Sequence, residues 1–146
     1  MRNVRSTLTF ALAVAFGLLA GVSHAGQSAP VSDAVDASRP FVVKIHADWC
    51  GICTALVPTW HALDSQLGDG ARLVLLDVTD RQTLEASQAE ARRLGIEDFF
   101  DRYKARTGTI GVLRGDNREK VVVLKGVRDP ARYETAVARA RSTNPS

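Results

Sequence analysis

Two hydrophobic patterns alternate along this chain. Short runs of unbroken apolar residues give way to longer stretches in which apolar residues recur every three or four positions. Phe41 to His46 (FVVKIH) is rich in β-branched and aromatic residues and predicts a buried strand. Cys53, Leu56, Val57, Trp60, Leu63 and Leu67 then fall on one stripe, which predicts a helix from Cys50 to Leu67. Pro58 lies inside that stripe and should kink the helix, because it lacks an N–H and crowds the preceding turn. Gly68-Asp69-Gly70 ends it. Arg72 to Val78 is a second strand run. Thr79 or Asp80 can cap the next helix, Arg81 to Leu94, and Gly95 stops it. Ile96 to Lys104 predicts a further helical turn or two. Thr109 to Arg114 and Lys120 to Lys125 read as strands joined by a hairpin turn at Gly115-Asp116-Asn117. Asp129-Pro130 opens a last helix that runs to about Arg141.

The order strand, helix, strand, helix, hairpin, helix predicts an α/β fold. A helical crossover between the first two strands makes them a right-handed parallel unit, and the hairpin adds antiparallel strands. The expected result is a mixed central β-sheet flanked by helices on both faces.

The N-terminus reads differently. Met1 to Arg5 carries two arginines and no acid, Leu8 to Val22 is almost wholly apolar, and Ser23-His24-Ala25 supplies small residues at its first and third positions. That layout is a secretory signal peptide, with cleavage expected after Ala25. The apolar run is short for a membrane span, which needs about 20 residues, and a retained N-terminal anchor is the alternative. The expected organisation is a signal peptide over 1–25, then a lead-in with a short helix (Val31 to Ser38) over 26–40. The folded domain follows over 41–141, with a flexible tail over 142–146.

Charge narrows the function classes little. The formal net charge is +3, and Arg2 and Arg5 belong to the signal segment. No Lys/Arg cluster interleaves with aromatics, so nothing points to nucleic acid, and no pattern specifies an oligomeric state. The cysteines narrow them more. The chain has 2, Cys50 and Cys53. Export would place them where disulfides persist. A bridge across so short a loop is a poor staple, because stabilisation grows with loop length. Reactivity explains the pair better than architecture does.

Ala47-Asp48-Trp49-Cys50-Gly51-Ile52-Cys53 sits between the first strand and the kinked helix. A cysteine at a helix start faces unpaired backbone N–H groups, which favour thiolate over thiol. The second sulfur, one turn on, can attack a mixed disulfide and release the product. Gly51 permits a tight turn there, and Ile52 adds no charge. The pair could instead be inert or bind metal, but a tetrahedral zinc site wants four ligands and no second CxxC or histidine cluster exists.

FVVKIHADWCGICTALVP resembles the thioredoxin active-site segment: an apolar strand, Ala-x-Trp-Cys-Gly-x-Cys, then Pro58 at the family's helix-kinking proline. DNREKVVVLKGV resembles the family's closing hairpin, with Gly126 at its glycine. The resemblance implies a thioredoxin-like fold with a redox-active disulfide, Cys50 as the exposed nucleophile and Cys53 as the buried resolving thiol. It implies disulfide-containing or dithiol protein substrates, no cofactor, and a bias towards reduction. For an exported protein the electrons would come from a membrane thiol relay, because glutathione does not buffer that compartment.

Three departures from the family stand out. Thioredoxins usually carry a buried acid six residues before the first cysteine; here that position is Lys44. It either favours the thiolates or snorkels to the surface. The family's cis-proline opposite the cysteines is missing from Arg106-Thr107-Gly108-Thr109-Ile110-Gly111, where Thr109 is the expected match and Ile110 the other candidate for the substrate loop. His46 replaces an apolar or aromatic residue and could join Cys50 and Cys53 as a partial Cu(I) donor set; packing is the commoner use of a strand histidine. Trp49 is expected to pack in the core or rim and to shield the reactive sulfur, with Asp48 a solvated loop acid. The alternative function is therefore a non-catalytic thioredoxin-fold module that holds a metal such as copper or docks a protein.

Overall fold

The computed structural model describes residues 38–142. The signal segment and most of the predicted lead-in helix, as well as all but Ser142 of the predicted tail, lie outside them. Ser142 itself ends the last helix.

Four strands form one sheet: β1 (Phe41–His46), β2 (Arg72–Asp77), β3 (Thr109–Leu113) and β4 (Lys120–Lys125). Their order is β2-β1-β3-β4, with β1–β2 parallel and the other pairs antiparallel. Five α-helices with full bounds lie among the described residues: α1 (Gly51–Ala55), α2 (Val57–Leu67), α3 (Arg81–Leu94), α4 (Glu97–Tyr103) and α5 (Pro130–Ser142). The mixed sheet with a helix layer on each face is the predicted one.

β1 runs through the middle, and its residues Phe41 to Ile45 are all buried. Successive side chains on a strand point to opposite faces. Phe41, Val43 and Ile45 pack with Ala91, Leu94, Phe99 and Phe100 beneath α3 and α4. Val42 packs on the other face with Leu56, Leu63, Tyr133 and Val137 beneath α2 and α5. A strand covered on both sides reads as a continuous apolar run, which is why FVVKIH shows no alternation.

The predicted kink at Pro58 is a complete break. The first helix stops at Ala55 and the second starts at Val57, with Pro58 in its first turn, where a missing N–H costs nothing. Asp80, not Thr79, caps α3: its carboxylate accepts from Thr83 N at 2.8 Å, while Thr83 Oγ1 accepts from Asp80 N at 3.0 Å. The hairpin loop is wider than three residues. Arg118 adopts φ 60° within it, donates to Leu94 O at 3.1 Å and stacks on Phe41 at 4.6 Å. Thr59 and Tyr133 tie the helices of the second face to the segment before α5. Thr59 Oγ1 donates to Arg128 O at 2.7 Å and Tyr133 Oη to Val127 O at 2.8 Å, and burial pushes the Tyr133 phenol up to about 12.

Gly111 is the tightest point of the central sheet. A Cβ there would stand 2.3 Å from Phe99 Cε2. Gly111→Ala should therefore destabilise the protein by about 1–3 kcal/mol, the usual cost of overpacking. Urea denaturation of the two proteins measures it; equal midpoints would mean that α4 shifts freely.

Candidate active site

β1 delivers the chain to the site and a short loop turns it. Cys50 N donates to Ala47 O at 3.1 Å, closing that turn. Cys50 then caps α1 in an extended conformation, and its Sγ accepts from Cys53 N at 3.2 Å. Both thiols are free. Cys50 is 8% exposed and Cys53 fully buried, with Cys53 Sγ 3.8 Å from Ile45 O.

The two thiols are electrostatically unequal. Burial pushes Cys50 up, but hydrogen bonds from the Cys53 thiol, the Thr107 hydroxyl and the backbone N–H groups of Cys53 and Ile52 outweigh it and hold Cys50 below the ordinary thiol value. Burial pushes Cys53 up, and its hydrogen bond to Cys50 adds to this; Lys44 pulls weakly the other way. Neighbouring groups driven apart in this manner take different roles: one sulfur ionises more readily and lies nearer the surface, the other holds its proton more tightly and is withdrawn.

The opposing loop differs from the expectation. Thr109 and Ile110 are not on it. Both are buried within β3, paired with Ile45 and Lys44. The residues facing the cysteines are Thr107 and Gly108. A Cβ on Gly108, at φ 77°, would stand 2.5 Å from Ile52 Cγ2 and 3.8 Å from Cys50 Sγ. Gly108 N donates to Ile45 O at 2.9 Å, and Gly126 N to Gly108 O at 3.0 Å. A Cβ on Gly126, at φ 68°, would stand 3.4 Å from the same Ile52 methyl. Ile52 thus fits against two glycine turns and stays 41% exposed. β3 starts at Thr109 as its pattern predicts, and the facing residues are the two that directly precede it, where the glycine allows a close approach.

The other expected residues sort as follows. Trp49 is not packed in the core: it is 68% exposed, and its indole Nε1 donates to Thr79 O at 3.0 Å. Thr79, which the sequence offered only as a cap, also accepts from Asp48 N at 2.9 Å, so it latches the active-site loop to the end of β2. Asp48 is exposed but pairs with His46 Nε2 at 3.2 Å. Gly51 has open space where a Cβ would be and a non-positive φ, so no tight turn requires glycine there. Lys44 does not snorkel; it is 2% exposed. His46 does not gather with the two sulfurs. Its near donor groups among the described residues are Asp48 and Asp77, and Thr79 already occupies an Asp77 oxygen.

A mixed sheet whose central strand ends under a split-character Cys50–Cys53 pair is matched by sequence. The thioredoxin family model covers residues 25–94. Over those residues the chain is similar to thioredoxin. It is similar to the chloroplastic thioredoxin-like protein HCF164 of Arabidopsis thaliana, 28% identical over 86 residues that make up 56% of this chain and 31% of that one. It is also similar to the thiol:disulfide interchange protein TxlA homolog of Synechocystis, 31% identical over 62 residues, 42% of this chain and 34% of that one. The aligned part thus spans about a third of these relatives' length. The solved exposed lipoprotein thioredoxin Etrx1 of Streptococcus pneumoniae shares the fold at TM-score 0.51 and 15% identity, covering 75% of this chain and 89% of its own.

The inequality of the thiols is directly measurable. At neutral pH iodoacetamide should alkylate Cys50 and spare Cys53, read by peptide mass spectrometry. The rate should fall as pH drops through the lowered Cys50 value. Thr107→Val should move that midpoint upward, since it deletes a donor to the thiolate; an unmoved midpoint would remove Thr107 from the site.

Proposed function

We propose that this chain is a thiol–disulfide oxidoreductase, acting chiefly as a reductase on exported proteins. The observation that carries the reading is the placement of the two free thiols, Cys50 capping α1 with its Sγ accepting from Cys53 N at 3.2 Å and Cys53 fully buried one turn on. Cys50 thiolate attacks one sulfur of a substrate disulfide, and the other sulfur leaves as thiolate. The resulting mixed disulfide is attacked by Cys53, which closes the Cys50–Cys53 bond and frees the reduced substrate. Exposed Trp49 and Ile52 beside Cys50 give an unfolded or extended substrate an apolar surface to rest on. The basic head, apolar run and small-residue site of residues 1–25 support export with cleavage after Ala25. In such a compartment a membrane thiol relay would return the pair to its reduced form. The printed name of the Synechocystis relative, a thiol:disulfide interchange protein, supports the same chemistry.

Insulin reduction with dithiothreitol tests the exchange. The wild type should precipitate the B chain, Cys50→Ser should fall to background, and Cys53→Ser should accumulate a substrate-linked mixed disulfide. No activity in the wild type, with stoichiometric Cu(I) uptake, would favour a metal-holding module instead. For export, N-terminal sequencing of the protein from its native host should begin at Gly26; a Met1 start in a membrane fraction would mean an anchor.

A further inference from the structure

Lys44 is a charged residue in an apolar place. Its register neighbours across the sheet are Leu75 on β2 and Ile110 on β3. It is 2% exposed. The Trp60 ring of α2 lies 5.7 Å from its Nζ and offsets part of the desolvation. A buried ammonium is costly, and a hydrophobic side chain of similar volume would serve packing equally well. Cys53 Sγ lies 3.8 Å from the carbonyl of Ile45, the next residue along β1, and Cys53 and, less strongly, Cys50 raise the proton affinity of Lys44. Leu75, Ile110 and Trp60 are uncharged, and His46, two residues along the same strand face, has its Nε2 on Asp48.

We infer that Lys44 is a positioning residue for the exchange: its buried ammonium holds the thiolate of Cys53 during resolution and, by favouring the reduced pair, raises the pair's reduction potential. This rests on the oxidoreductase reading and extends it to the resolving step. Cys53 is fully enclosed, where burial opposes its ionisation; the Ala47 backbone and, less strongly, the charge of Lys44 pull the other way. In the step itself Cys53 releases its proton to solvent, and its thiolate attacks Cys50 Sγ. The Cys50–Cys53 bond forms as the bond to the substrate sulfur breaks. That sulfur leaves with the electron pair and takes up a proton, so the substrate gains two electrons and the pair loses two. The disulfide carries no charge, so Lys44 then has no anionic partner in the pair. Burial lowers its proton affinity and the sulfurs raise it, so the affinity is higher in the reduced protein.

The test compares wild type with Lys44→Met, which keeps the apolar stem and removes the charge. Equilibration with glutathione should shift about tenfold towards the disulfide in Lys44→Met, about 30 mV for a two-electron couple. The mixed disulfide with a cystine-bridged peptide should also live about tenfold longer. A loss of packing alone would leave the potential unchanged. Potentials and lifetimes equal within about twofold would overturn the inference while leaving the exchange reading intact. A wild type inactive on insulin would overturn both. A second measurement needs no variant: the ¹³Cε resonance of Lys44, followed by NMR against pH, should titrate at higher pH in the reduced protein than in the oxidised one. Equal midpoints would sink the idea.

Discussion

The carbonyl of Ile45, near the end of the central strand, is where the site is assembled. It accepts the Gly108 N–H at 2.9 Å and lies 3.8 Å from Cys53 Sγ. One residue on, His46 O accepts Val78 N at 2.8 Å. The cysteine helix, the glycine turn before β3 and the loop after β2 are therefore all referenced to two consecutive carbonyls. Those carbonyls stay put because β1 is paired on both edges and covered on both faces. An ordered strand in a packed core has one geometry, and the loops inherit it.

From that frame follows the unequal treatment of two chemically identical groups. Cys50 sits at the helix start within reach of backbone N–H groups and the Thr107 hydroxyl, whereas Cys53 is one turn deeper and fully enclosed. The difference is one of position: donors favour the anion at the rim, desolvation disfavours it inside. Lys44 modifies this from behind. An ammonium buried beside a thiol pair makes the electrostatics of the site depend on its redox state, because only the reduced pair offers a negative charge to balance it.

The turn opposite the cysteines solves a spacing problem by a different route from a proline. Gly108 has a left-handed backbone and no Cβ, and the Ile52 methyl fills the space a side chain would occupy. Gly126 leaves similar room from the adjacent turn, so the branched apolar residue of the motif rests one methyl against two glycines while the rest of its side chain stays exposed. The variable position between the cysteines is in this chain part of the packing that shapes the rim.

The elements, their order and the chemistry were legible in the sequence, since each depends on local pattern. The unbroken run FVVKIH marks a strand buried on both faces, the 3.6-residue stripe with Pro58 marks a kinked helix, which the fold breaks in two, and WCGIC marks the candidate reactive pair. What could not be read were properties that arise only when distant segments meet. A lysine in a strand is equally consistent with snorkelling or burial until Trp60, 16 positions on, closes over it. The strand start at Thr109 was read correctly, but the family's loop was matched to Thr109 and Ile110 rather than to Thr107 and Gly108, because which residues face the cysteines is decided only when the strands meet. Thr79 looked like a helix cap until tertiary contact gave it Asp48 and Trp49. Periodicity is set by neighbours a few residues away, whereas burial, hydrogen-bond partners and proton affinity are set by groups brought close only by the fold.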